Sequence, residues 1–306
     1  MTQRAGGNAA GRGNGRRRRR SFCNRDLALM LRCDLCPVWL RFGLLLLVCV
    51  TGHGWADQDA RAEGERLARQ VHERREPRDA VVSATVTLTE LGREARQRQM
   101  YSYRARDTAG KIRSLIRFTA PSDVRDIGLL TLDQPGNSPR QWLYLPALDR
   151  LRSVPADGRG GRFLGSDFYY EDMIERDVLL DRHRLVGRED IGGVTTAVLE
   201  SVPIDPASSV YTRRLSWIHP EALLPLRVDY FMSRNDAPVK RYTVHRLDKV
   251  QGYWTIMDAT MTELESGHQT RIRVNVVKYD AGLPDSLFSQ ETLRHPAREE
   301  PFRLEQ

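Results

Sequence analysis

The carboxylates Asp167 and Glu171 lie four residues apart in a segment that is rich in aromatic residues. On a helix this spacing would place both side chains on one face, within reach of one ligand, as a general acid and base require. The structural alternative is that Ser166 or Asp167 caps a short helix, with Arg150 or Arg152 as an ion-pair partner. Because helix caps are far commoner than catalytic pairs, we favour the structural interpretation and expect no catalytic residue.

The other residue types that carry chemistry do not form a known catalytic pattern. The histidines are scattered, without the HxH or HExxH spacing of a metal site. No P-loop, GxGxxG or GxSxG motif occurs. All four cysteines precede residue 57, so we expect no disulfide or thiol chemistry in the rest of the chain. The sequence predicts no metal and no cofactor.

An apolar run at residues 44–50 follows basic residues and is too short to span a bilayer comfortably. Gly54 and Ala56 are the small residues that a signal peptidase needs at positions −3 and −1 relative to its cleavage site. We therefore predict that residues 1–56 are a secretory leader cleaved after Ala56, which exports the protein to the periplasm. Met30 is an alternative translation start, because the segment before it is unusually long and polar.

Removal of the leader changes the charge of the protein. The chain has 48 basic and 40 acidic side chains, and residues 1–56 contain ten arginines and two aspartates, so 38 of each sign remain. A neutral protein lacks the surplus of cations that phosphate backbones attract. We therefore expect no nucleic-acid partner.

The elements that must position these residues are mostly strands. Residues 59–76 have the apolar spacing of one amphipathic helix, which Pro77 would end. From residue 80 onward apolar and polar residues alternate, as in half-buried strands, and short turns force neighbouring strands to be antiparallel. We predict one mainly β domain over 57–306, with about ten to twelve strands in a sheet that curls or closes and a helix against its open face.

Two segments resemble the motifs of a known family. Residues 142–152 read WLYLPALDRLR and residues 163–173 read FLGSDFYYEDM. They resemble the WxYLPALxRxR and FxGSDFxYEDM signatures of LolA-like outer-membrane lipoprotein-sorting proteins, and the resemblance covers most of residues 70–295. It implies an incomplete antiparallel β-barrel, or half-barrel, wrapped around helices, with acyl chains held in an apolar cavity.

The resemblance also implies a function: a periplasmic carrier that binds acyl chains of lipoproteins or lipids, contacts membranes transiently, and works beside an RND-type inner-membrane exporter. Ligand-binding candidates carry over from the two motifs as Trp142, Tyr144, Arg150, Arg152, Phe163, Asp167, Phe168, Tyr170 and Glu171. For the aromatic residues the alternative is ordinary core packing. Two other functions stay open: a periplasmic sensor or regulatory protein of the same fold, and a hydrolase that uses the two carboxylates.

Overall fold

The computed structural model of the chain describes residues 52–107, 109–134, 137–232 and 237–304. Most of the predicted leader, residues 1–51, lies outside these ranges, so its cleavage stays a prediction. Among the described helices, none is both long enough and apolar enough to cross a membrane.

The N-terminal helix α1 spans Gly52–His72, whereas the apolar spacing predicted residues 59–76. It ends earlier because the Arg74 side chain folds back, and its Nη1 donates a hydrogen bond to the carbonyl of Val71 at 2.7 Å. The chain has therefore already left the helix before it reaches Pro77, and residues 73–77 lead directly into the sheet.

Thirteen strands form one sheet, in the order β6-β5-β4-β3-β2-β1-β13-β12-β11-β10-β9-β8-β7. Their bounds are β1 Asp79–Thr89, β2 Arg96–Arg106, β3 Ile112–Ala120, β4 Gly128–Gln134, β5 Asn137–Leu145, β6 Arg150–Val154, β7 Asp181–Ile191, β8 Val194–Pro203, β9 Arg213–Ile218, β10 Pro225–Phe231, β11 Lys240–Val250, β12 Tyr253–Glu263 and β13 Gln269–Tyr279. Every neighbouring pair is antiparallel. Because β6 and β7 are free edges, the sheet is an open half-barrel, as predicted.

The sheet has thirteen strands, one more than the upper end of the predicted number, and the extra strand is β7. Its sequence, DRHRLVGREDI, is mostly charged, and its residues from Gly187 to Asp190 are exposed. The pairing with β8 also shifts register between Leu185 and Gly187. Strand β7 therefore lacks the apolar alternation by which the other strands were predicted, and this is why it was missed.

The segment that joins the two edge strands, residues 155–180, crosses one face of the sheet, which we call the inner face. It meets strands far apart in the sheet order: Gln141 of β5 donates to the carbonyl of Tyr170 at 3.0 Å, and Thr270 of β13 accepts from the backbone N–H of Asp167 at 2.9 Å. The crossing segment therefore contains the whole second motif.

The opposite, outer face is covered by residues 280–304, which include the short helix α2 at Gln290–Arg294. Buried apolar residues of β1 to β5 pack there against Leu287, Phe288 and Leu293. A fully buried ion pair fixes this covering segment, since Arg117 Nη2 lies 2.6 Å from Glu299 Oε1. The half of the sheet from β6 to β1 is thus covered on both faces.

Candidate functional site

Aromatic side chains of the second motif fill the inner face beneath the crossing segment. The ring of Phe163 lies 5.8 Å from that of Phe118 and 5.7 Å from that of Tyr170. Phe168 packs edge-on against Tyr242 at 6.3 Å. Phe163 and Phe168 are buried, so these side chains already pack against the sheet and hold the segment to it.

Asp167 is held by two residues of the β12–β13 region. Thr270 Oγ1 donates to its Oδ2 at 2.7 Å, and His268 Nδ1 lies 2.7 Å from both carboxylate oxygens. The backbone N–H of Asp167 donates back to Thr270 Oγ1 at 2.9 Å. Asp167 and Thr270 are almost completely buried. The carboxylate therefore attaches the crossing segment to β13. This role differs from the helix cap that the sequence suggested.

Glu171 faces other partners. The backbone N–H of Val210 donates to its Oε2 at 2.7 Å, and the Ser209 hydroxyl donates to its Oε1. It lies in a short 3-10 turn, Tyr170–Met173, and not on the α-helix that an i,i+4 pair would need. The two carboxylates thus bind residues on separate parts of the chain.

A buried lysine makes a third attachment of the crossing segment. Lys240 Nζ donates to Asp172 Oδ2 at 2.8 Å and to the Tyr211 hydroxyl at 2.7 Å, and it lies 3.6 Å from the ring centre of Tyr169. Burial lowers the pKa of Lys240, and the Asp172 carboxylate opposes this effect. Sequence reasoning missed this lysine as well as His268 and Thr270, because each lies about 70 to 100 residues from its partner in the chain.

The first motif lies elsewhere. Trp142 and Tyr144 belong to the core of the outer face, beneath the C-terminal segment, and the Tyr144 hydroxyl donates to Asp149 at 3.1 Å. Arg150 and Arg152 are exposed on the edge strand β6. The structure therefore brings Phe163, Asp167, Phe168, Tyr170 and Glu171 together in one segment and separates the other four candidates from them. A ligand-binding role for any of the nine stays a prediction.

Empty space on the inner face lies between the crossing segment, α1 and strands β8 to β10. The motif cavity, of about 520 Å³, is lined mostly by polar and charged side chains, and Ile174, Leu180, Val228 and Tyr230 belong to its less polar part. The helix cavity, of about 270 Å³, adjoins it beside α1. The two share part of their lining: Glu175, Arg176, Asp177, Arg214 and Ser216.

The helix cavity is the more apolar of the two. Ala68 of α1 packs there with Leu199, Ile218 and Val178, which form a small apolar cluster. A third space, the rim cavity of about 420 Å³, shares Arg74 with the helix cavity. The inner face thus carries a row of three adjoining cavities.

A chain of ion pairs separates these cavities. Glu76 Oε2 lies 3.0 Å from Arg104 Nη1 and 2.6 Å from Arg106 Nη2, and Arg104 also binds Glu175. Burial alone would raise the pKa of Glu76, but Arg104 and Arg74 outweigh it, so the pKa lies below its ordinary value. The carboxylate therefore stays ionised at neutral pH and fixes the arginines between the cavities.

Among the described residues, no group of three or more histidine, cysteine, aspartate or glutamate side chains is arranged to hold a metal ion. The carboxylates around the motif and helix cavities instead have arginine, lysine or backbone partners. These two cavities are therefore bounded by carboxylates that already have partners.

The fold, an open antiparallel sheet of thirteen strands, is LolA-like. Known structures share this fold. A DUF1329 family protein from Desulfovibrio piger is 27% identical, covers 76% of this chain and 99% of its own, and has a TM-score of 0.72. A Vibrio parahaemolyticus domain assigned to outer membrane lipoprotein sorting is 26% identical, covers 77% and 100%, and also has a TM-score of 0.72.

A LolA superfamily protein from Nitrosomonas europaea shares the fold at 17% identity, with a TM-score of 0.59 and coverage of 74% of this chain and 98% of its own. A family model described only as that of an uncharacterized protein matches residues 110–295. This match spans more than half of the chain, and the chain belongs to that family. No functionally curated protein matches it.

Proposed function

We propose that the protein is a periplasmic carrier that binds acyl chains of lipoproteins or lipids on its inner face and transfers them between membranes. The similarity to a domain assigned to outer membrane lipoprotein sorting supports this proposal. The row of cavities beside α1 supports it independently, because it offers a place for the ligand that the folded chain does not fill.

The adjoining motif and helix cavities carry the argument. Their volumes, about 520 Å³ and 270 Å³, are on the scale of small-ligand pockets, which are about 300–1,000 Å³. Val178, Leu199 and Ile218 supply an apolar wall. An acyl chain moved from water to such a wall gains about 0.8 kcal/mol per buried methylene, so even a partly buried chain would bind.

The two arginines that line both cavities do not oppose an apolar ligand, because they are already paired. Arg176 and Arg214 both bind Asp181, with Arg176 Nη2 2.9 Å and Arg214 Nη2 2.5 Å from its oxygens. A ligand that displaces water from the cavity leaves these ion pairs intact. It therefore escapes the cost of burying an unpaired charge.

Release requires that the ligand can leave the inner face. The crossing segment is our candidate gate, because residues 155–180 cover the sheet and are held to it by side-chain contacts, among them those of Asp167, Glu171 and Asp172. Opening of this segment would expose the cavities at a donor or acceptor membrane. We propose an RND-type inner-membrane exporter as the handover partner.

The first experiment identifies the cargo. Protein purified from an exporting host is extracted with organic solvent, and the extract is analysed by mass spectrometry. We expect about one acyl-bearing molecule per protein. Protein that is empty and also fails to bind a fluorescent fatty acid would contradict the carrier proposal and favour the sensor alternative.

The second experiment locates the ligand. Ile174→Trp places a large side chain in the motif cavity, and we expect it to weaken binding of the fluorescent fatty acid at least about tenfold. Leu179→Trp is the matched control, because Leu179 is 74% exposed and lies in the same segment. Equal affinity of the two variants would place the acyl chain outside the motif cavity.

A further inference from the structure

The rim cavity has a surplus of positive charge. It has a volume of about 420 Å³ and lies where residues after α1 meet the β9–β10 and β11–β12 turns. Four cationic side chains line it, against two carboxylates: Arg74, Arg75, Arg104 and Lys249, with Glu76 and Glu221. Its lining therefore attracts an anion.

Two of these cations are available to a ligand. Arg74 and Arg104 both bind Glu76. Within the described parts of the chain, Arg75 and Lys249 have no carboxylate partner within ion-pair distance and instead lie over aromatic rings. The distances are 5.1 Å from Arg75 to the ring centre of Tyr253 and 4.6 Å from Lys249 to that of Trp254. A ring face holds a cation in place but leaves its N–H donors free.

The same cavity has an apolar side. Ala80 and Val82 of β1 line it together with Leu223 and Leu224 of the β9–β10 turn. It also adjoins the helix cavity through Arg74, which lines both. An amphiphile with a negative headgroup would match this combination of free cations and apolar side chains in one cavity.

We propose that the rim cavity binds the oxyanion headgroup of an anionic amphiphile between Arg75 and Lys249, with its acyl chain against the apolar side of the same cavity. This inference rests on the proposed function, because the chain would occupy the same row of cavities. It adds the chemical class of the cargo: a carboxylate or phosphate head joined to an apolar tail.

The test compares an anionic with a zwitterionic short-chain lipid. Calorimetry measures binding of dihexanoylphosphatidylglycerol, dihexanoylphosphatidylcholine and inorganic phosphate to the purified protein and to the double variant Arg75→Ser with Lys249→Ser. Both residues are exposed, so the variant should fold, and circular dichroism verifies this. The control is Arg93→Ser with Lys278→Ser, which removes the same charge from exposed positions outside the three cavities.

We expect the double variant to bind the anionic lipid at least about tenfold more weakly than the control. The loss should be smaller for the zwitterionic lipid, because its choline cation offsets the charge of its phosphate. Equal affinity of variant and control for the anionic lipid would overturn the headgroup site and leave the carrier function standing. Binding of neither lipid to the unmodified protein would overturn the carrier function itself. Inorganic phosphate bound as tightly as the anionic lipid would overturn the amphiphile and indicate a free oxyanion.

Discussion

Thr270→Val tests whether the second motif is pinned to the sheet by side-chain hydrogen bonds. Valine keeps the shape of threonine and its preference for strands, but it lacks the hydroxyl group. In the structure that hydroxyl donates to the Asp167 carboxylate at 2.7 Å and accepts from the Asp167 N–H at 2.9 Å. The substitution therefore removes two hydrogen bonds at a buried position.

The expected cost follows from those two bonds. A hydrogen bond to a charged group contributes about 1.5–3 kcal/mol, and a buried donor without a partner costs about 1–3 kcal/mol. Because His268 still binds the Asp167 carboxylate, we expect Thr270→Val to lower the free energy of unfolding by about 3 kcal/mol, towards the lower end of the roughly 2.5–6 kcal/mol that the two contributions make together. Urea denaturation followed by circular dichroism measures this loss.

The same variant tests the gate. Amides of residues 162–173 should exchange with solvent faster than in the unmodified protein, and by a larger factor than amides of the outer-face core. Thr195→Val is the control, because Thr195 bonds Asp190 at an exposed hairpin and should change stability by less than about 0.5 kcal/mol. A loss below about 1 kcal/mol for Thr270→Val, or unchanged exchange in the motif, would refute the reasoning.

Two further predictions concern the frame around the site. Asp229→Asn should reduce the loss of stability at acid pH. Burial would raise the pKa of Asp229, but the two bound arginines outweigh this effect, so the pKa lies below its ordinary value of 3.8. Its ionised form therefore stabilises the fold above about pH 3.8, and this stability is lost as the pH falls below that value; urea titrations between pH 2.5 and 7 measure it. Gly64→Ala should lower stability by about 1–3 kcal/mol, because its new Cβ would lie 2.4 Å from the β7 backbone at Arg184; thermal unfolding measures this.

Each of these has its own check. An Asp229→Asn variant that loses as much stability as the unmodified protein between pH 4 and 2.5 would show that another carboxylate dominates. For the helix contact, Gly187→Ala in β7 is the control, since a Cβ there would meet nothing within 4 Å. If both alanine variants had the same stability, the packing of α1 would not depend on its close approach to β7.

Much of the fold could be predicted because it depends on local pattern. Alternating apolar residues predicted about ten to twelve strands, and short turns made them antiparallel. The missed strand, β7, has an exposed and charged sequence, so only its backbone pairing with β8 reveals it. The predicted end of α1 was also wrong, because the Arg74 side chain bonds Val71 and stops the helix before Pro77.

The site could be predicted only in part. A ligand-binding role for the two motifs stays a prediction. The spacing of Asp167 and Glu171 suggested a helix, whereas the structure gives each carboxylate its own distant partners. The sequence also did not predict that Trp142 and Tyr144 lie on the outer face, away from the second motif. Alternation shows that successive residues face opposite sides of a strand, but it does not say which side the crossing segment covers.

By itself, the sequence determined a mainly β chain of antiparallel strands, and its resemblance to LolA-like proteins implied the fold. The strand pattern follows from local periodicity, and the resemblance follows from residue identities along the chain. Only the tertiary structure decided that residues 155–180 cross the inner face, that Lys240 and Thr270 hold them there, and that Arg75 and Lys249 meet at one cavity. Such contacts join residues far apart in sequence, and they exist only once the sheet has brought distant strands together.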